Sequence, residues 1–137
     1  MISCIVGRKG SGKTKQLIEM VNTAVNEEHG SVICIEPDKK LTHDINRHCR
    51  LIETNQFELA GYDGFFGFIC GLYAQNYDIT SIFIDNLYKI VKSSDEAEVE
   101  AFFVKLAKFS TETGIKFIIT ISVETDELPE SVMKYVA

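Results

Sequence analysis

The sequence predicts an α/β protein, a three-layer sandwich around a short, mainly parallel sheet of about four to five strands. Three observations predict it. Apolar, β-branched runs alternate with segments of helical spacing along the chain. Runs such as Val32-Ile33-Cys34-Ile35 carry apolar residues on both faces, as a strand buried inside a parallel sheet requires. A glycine-rich turn, Gly7 to Gly12, joins the first run to the first helical segment.

Ile2–Val6 reads as a short buried strand. Lys13–Glu28 has helical spacing through Leu17, Ile18, Val21 and Val25, and Gly30 stops it. Val32–Ile35 is the second strand, broken by Glu36-Pro37-Asp38. A helix is expected over Leu41–Arg50 and a short strand over Phe57–Ala60. Gly61–Gly64 reads as a turn and Phe65–Gln75 as a very apolar helix. Ile79–Ile84 is the third main strand. An amphipathic helix starts at Ser93–Asp95, buries Val99, Phe102, Phe103, Leu106 and Phe109, and ends at Gly114. Lys116–Ser122 is the fourth main strand, and Leu128–Val136 a closing helix with Pro129 in its first turn.

The 137 residues are expected to form one domain, 1–137. With 45% hydrophobic and 25% charged residues, the composition excludes disordered, collagen-like and low-complexity function. No apolar run approaches the roughly 18 residues of a membrane span, and Gly7-Arg8-Lys9 interrupts the N-terminal run too early for a signal peptide. Net charge is −6, but residues 1–50 carry +2 and residues 51–137 carry −8. The acidic balance argues against nucleic-acid binding by the chain alone. None of the four cysteines belongs to a Cys-x-x-Cys pair, so they are expected to be reduced and the protein cytoplasmic. His29, His43 and His48 have no matching ligand set for a protein-held metal.

The chemistry concentrates in Gly7-Arg8-Lys9-Gly10-Ser11-Gly12-Lys13-Thr14, which fits Gly-x-x-x-x-Gly-Lys-Ser/Thr at every fixed position. Glycines let the backbone curl closely around an anion. Successive N–H groups and the following helix N-terminus then face phosphates. Lys13 reaches the β- and γ-phosphates, and the Thr14 hydroxyl holds Mg²⁺. A second element, Ser81-Ile82-Phe83-Ile84-Asp85, is an apolar strand ending in a carboxylate. An Asp at that end of a parallel strand lies beside the glycine loop and joins the Mg²⁺ shell.

On these residues the chain resembles a P-loop NTPase over nearly its whole length. The resemblance implies a nucleoside triphosphate, ATP by family habit, and Mg²⁺ as cofactors. Gly7, Arg8, Lys9, Gly10, Ser11, Gly12, Lys13 and Thr14 would bind the nucleotide, and Thr14 and Asp85 the metal. Many ATPases of that superfamily place a catalytic Glu directly after the strand-end Asp, where this chain has Asn86. RecA-like members carry it at the end of the second strand, where Glu36 stands. The resemblance to a minimal RecA-like domain therefore implies Glu36 as general base and Ser122, ending the polar segment Thr120-Ile121-Ser122, as γ-phosphate sensor beside Lys13. It also implies the strand order 2-3-4-1 for the four main strands.

Such a protein couples ATP binding or hydrolysis to conformational change or assembly. Its partners would be the nucleotide and a second copy or another protein, with no membrane. Arg47 or Arg50 then serves as a trans-acting arginine finger or belongs to a solvated helix face. Two other readings stay open. One is a nucleotide-binding interaction module without turnover. The other is a phosphotransferase, because Glu36-Pro37-Asp38 loosely resembles a segment of thymidine kinases; those enzymes add a zinc-bearing lid with paired cysteines that this chain lacks.

Overall fold

A computed structural model describes residues 1–137, apart from the side chain of Thr125. The elements run β1 (Ile2–Gly7), α1 (Lys13–Glu27), β2 (Ser31–Glu36), β3 (Arg50–Glu53), α2 (Gly61–Gln75), β4 (Ile79–Ile84), α3 (Leu87–Val91), α4 (Glu96–Thr113), β5 (Lys116–Ser122) and α5 (Glu130–Met133). All five strands are parallel and form one sheet flanked by helices.

The period-two alternation of each strand divides the core into two layers. Cys4, Ile33, Ile35, Ile52, Ile82, Ile84, Phe117 and Ile119 pack with residues of α2, α3, α4 and α5. Ile5, Val32, Cys34, Phe83 and Ile118 pack against Leu17, Val21 and Ala24 of α1. Leu41, Ile45 and Cys49, from the segment between β2 and β3, complete this second layer. Four helices thus cover one face, and one helix plus an irregular segment covers the other.

The five-stranded order, 3-2-4-5-1, keeps the four main strands in their expected sequence and differs from the expected 2-3-4-1 by one added edge strand. The cause is Arg50–Glu53, which pairs with the outer edge of β2 from Ile33↔Arg50 to Glu36↔Glu53. The short strand expected over Phe57–Ala60 is absent, and Phe57 is exposed instead. Leu51 and Ile52 suit the edge position because each supplies an apolar side chain to one of the two core layers.

The helix expected over Leu41–Arg50 is also absent; the segment forms separate turns. Leu41, Ile45 and Cys49 have helical spacing, but Asn22 of α1 captures the backbone that a helix would use. Its side chain accepts the Asn46 N–H at 2.8 Å and donates to the Asp44 carbonyl at 3.0 Å. Asn46 then accepts the His48 N–H at 2.9 Å, closing a local turn.

Helix α2 begins at Gly61, four residues earlier than expected, so 61–64 is helix rather than turn. The short helix α3 has no counterpart in the sequence reading. The expected closing helix shrinks to α5, with Pro129 at its N-cap rather than inside its first turn. Beyond α5 the chain lies along β1. The Cys4 N–H donates to the Tyr135 carbonyl at 2.7 Å, and the Ala137 N–H donates to the Cys4 carbonyl at 3.0 Å. A parallel bridge joins Cys4 and Val136. Unpaired main-chain groups on an outer strand favour this extended pairing over another helical turn.

Among the described residues, no helix is long and apolar enough to cross a membrane.

Candidate functional site

The site lies at the carboxyl ends of the strands, as expected for an open parallel sheet. Four chain segments build it: the loop from β1 to α1, the turn after β2, the turn after β4 and the end of β5.

In the first loop, Gly10 and Gly12 have φ of 85° and 89°, the left-handed region that glycine adopts without a Cβ penalty. The Ser11 N–H donates to the Arg8 carbonyl at 3.1 Å and closes the turn. Gly12 is the N-cap of α1, and no side chain caps that end. The first helical bond runs from the Gln16 N–H to the Gly12 carbonyl at 3.1 Å. The N–H groups of Lys13, Thr14 and Lys15 therefore precede the helical ladder and supply its positive end.

Lys13 is 7% exposed, and its Nζ donates to the Arg8 carbonyl at 2.8 Å. Burial lowers its ammonium pKa, and the Asp85 carboxylate opposes that shift. Its charge is thus held inside the loop by one neutral acceptor, a bond that an anion can replace.

Asp85 follows β4, and its N–H donates to the Ile35 carbonyl of β2 at 2.8 Å. The Thr14 hydroxyl lies 3.3 and 3.5 Å from its two carboxylate oxygens. Residues 71 positions apart are thereby brought together. Two oxygens in adjacent positions on an octahedral Mg²⁺ lie about 2.9 Å apart, so this pair fits two positions of such a shell. Nucleotide phosphates and water would complete it. Among the described residues, no group of three or more His, Cys, Asp or Glu is arranged to hold a metal by protein ligands alone.

Thr120 belongs to neither motif of the sequence, yet it organises this corner. Its hydroxyl donates to Asp85 Oδ1 at 2.8 Å and accepts the Asn86 N–H at 2.8 Å. It is 1% exposed. The available signal was a hydroxyl inside the otherwise apolar run Phe117–Ile121, which must find a partner when buried. Asn86, which directly follows Asp85, takes a left-handed conformation with φ of 64°.

Glu36 ends β2 and is 2% exposed. Its Oε1 accepts the Lys40 N–H at 2.8 Å, and both oxygens lie 3.3 Å from the Leu41 N–H. The carboxylate thus closes the turn from Pro37 to Leu41. Burial raises its pKa; the Lys40 and Leu41 N–H groups lower it, and the charges of Asp85 and Glu53 raise it further. The net direction is upward. Acceptor capacity remains on Oε2, since a carboxylate offers about four lone-pair sites.

These segments enclose a cavity of about 630 Å³, lined by residues that include Lys9, Gly10, Gly12, Lys13, Thr14, Glu36, Asp85, Asn86 and Ser122. Ser122 stands beside Gly7 in the sheet register. Not every expected residue points inward. Arg8 pairs with Glu124 through its guanidinium and contributes its carbonyl to the loop, while the Ser11 side chain is exposed. Gly7, Arg8 and Ser11 do not line the cavity, and neither do Arg47 and Arg50. Arg50 instead lies in edge strand β3.

No protein-family model matches the chain, and comparison with curated proteins gives no match.

Proposed function

We propose that this protein binds a nucleoside triphosphate, ATP in the first instance, together with Mg²⁺, and acts as a small RecA-like ATPase of the P-loop class. Binding or hydrolysis would be coupled to a conformational or assembly change. The single observation that carries the reading is the approach of Thr14 to Asp85 beside the buried Lys13. Two motifs far apart in sequence meet at one end of the sheet, in the relation that phosphate and Mg²⁺ binding needs.

The α1 N-terminus and the backbone of the glycine loop receive the phosphates. Lys13 exchanges the Arg8 carbonyl for phosphate oxygens. Thr14 and Asp85 hold the cation, which would neutralise phosphate charge when bound. Glu36 orients and deprotonates the attacking water through Oε2, and its raised pKa brings it closer to the range of an effective base. Ser122 lies across the cavity as a hydroxyl partner for the terminal phosphate.

A second reading, a nucleotide-binding module without turnover, draws support from Asn86. That position offers an amide where many relatives of this class carry an acid. Phosphate release from ATP separates the two.

The decisive experiment for the site is Lys13→Ala. A desolvated charged donor contributes enough that its loss should weaken ATP·Mg²⁺ binding by at least about tenfold. The circular dichroism spectrum should not change. Calorimetric titration with unaltered affinity would remove the phosphate-loop reading.

A further inference from the structure

The wall of the cavity opposite the glycine loop carries cations that the proposed machinery does not use. It is formed by Pro37, Asp38, Lys40 and Leu41 after β2, and by Asn86 and Lys89 around the start of α3. Lys89 Nζ lies 2.5 Å from Asp38 Oδ2, and Lys40 Nζ lies 3.9 Å from the same oxygen. The Asn55 side-chain amide donates to the other Asp38 oxygen. One carboxylate therefore faces two ammonium groups and an amide.

The base of Lys89 is well fixed. The N–H groups of Lys89 and Ile90 both donate to the Asn86 carbonyl at 3.1 Å, and Asn86 itself is tied to Thr120. The start of α3 is thus held in one unit with Asp85. The side chain of Lys89 is about half exposed, at 48%. An ion pair that exposed contributes little and is readily exchanged for a more highly charged anion. All three arginines lie outside the cavity lining. Cations facing a bound anion from the side opposite Lys13 must therefore be lysines.

We propose that Lys89 is the residue that distinguishes a triphosphate from a diphosphate, held on Asp38 in the free chain and transferred to the terminal phosphate when the triphosphate binds. This rests on the nucleotide-binding reading above. The transfer moves one ammonium group and breaks no covalent bond. It leaves Asp38 with Lys40 and Asn55. Asn55 also donates its backbone N–H to the Pro37 carbonyl at 3.1 Å. The nucleotide state is thereby passed to the turn after β2 and the segment following β3.

The test is calorimetric titration of the full chain with Mg²⁺ and either ADP or a non-hydrolysable ATP analogue. Lys89→Met keeps the length of the side chain and removes its charge. It should weaken the ATP analogue by about tenfold, the effect of one charge-assisted contact, and ADP by less than about twofold. Asp38→Asn releases Lys89 and should tighten the analogue while leaving ADP unchanged. Unchanged circular dichroism spectra verify that both variants are folded. Equal losses for the two nucleotides in Lys89→Met, or no loss for either, would overturn the assignment. If Lys13→Ala still loses both nucleotides in that case, the phosphate-site reading stands and Lys89 alone is discarded. If the wild type binds neither nucleotide, both fall together.

Discussion

Thr120 and Asp85 share a 2.8 Å hydrogen bond, and the same Thr120 hydroxyl accepts the Asn86 N–H. One side chain on β5 therefore sets the direction of the carboxylate that ends β4 and the turn that follows. Thr120→Val keeps the shape and removes the hydroxyl. It leaves a backbone N–H and a carboxylate oxygen without that partner, which should cost about 1–3 kcal/mol in urea unfolding. Nucleotide binding should also lose part of its Mg²⁺ dependence. Thr120→Ser restores the hydroxyl and should recover most of both properties. A Val variant as stable as the wild type, with the same Mg²⁺ response, would contradict this role.

Asp85→Asn separates a cation ligand from a structural acid. The amide oxygen still accepts the Thr120 hydroxyl, so the fold should persist. Affinity for ATP in the presence of Mg²⁺ should fall by at least about tenfold, with less than about threefold change in its absence. Titrations with Mg²⁺ and with a chelator provide the comparison. Equal losses in both would make Asp85 structural only.

Glu36 gives a pH-dependent prediction. Its folded pKa is raised, so the folded state holds the proton more tightly than the unfolded chain. Its contribution to stability is full below the unfolded value of about 4.3 and is lost as pH rises through the folded value. Glu36→Gln removes this titration. The stability of the wild type relative to Glu36→Gln should decline with rising pH across that window, as read by denaturant unfolding at several pH values. In the same variant, ATP affinity should stay within about threefold while hydrolysis falls by about a hundredfold, the contribution of a positioned base. Hydrolysis equal to that of the wild type would return Glu36 to the role of turn clamp alone.

The C-terminal segment protects an edge. Removing residues 134–137 leaves the N–H and carbonyl of Cys4 without their partners on that side. It also removes the stacking of Tyr135 on Phe103, whose ring centroids lie 5.7 Å apart. Stability should fall by about 1–3 kcal/mol, and the shortened chain should associate as its concentration rises, because β1 becomes an open strand edge. Urea unfolding and light scattering would measure the two effects. A monomer of unchanged stability would show that the strap is dispensable.

The α/β class, the four main strands, α1 and α4, and the glycine loop are legible in the order of the residues alone. These features are local. Apolar periodicity reports which faces must be buried, and glycine spacing reports where the backbone turns. Asp95 at the N-cap of α4, accepting the Glu98 N–H at 3.1 Å, and Gly114 at its other end mark boundaries that a linear reading can find. Features that depended on competition for partners stayed hidden. Leu41, Ile45 and Cys49 repeat like a helix, but Asn22, far back in α1, takes the backbone bonds that a helix would need. Arg50–Glu53 becomes a strand because β2 offers an unpaired edge, and Val136 forms a parallel bridge because β1 does. That Thr120 holds Asp85, that Glu36 closes its own turn and that Lys89 rests on Asp38 emerges from the folded arrangement of the chain. Each is a contact between segments distant in the chain or a choice between neighbouring donors, and burial settles such choices by requiring every polar group to find a partner.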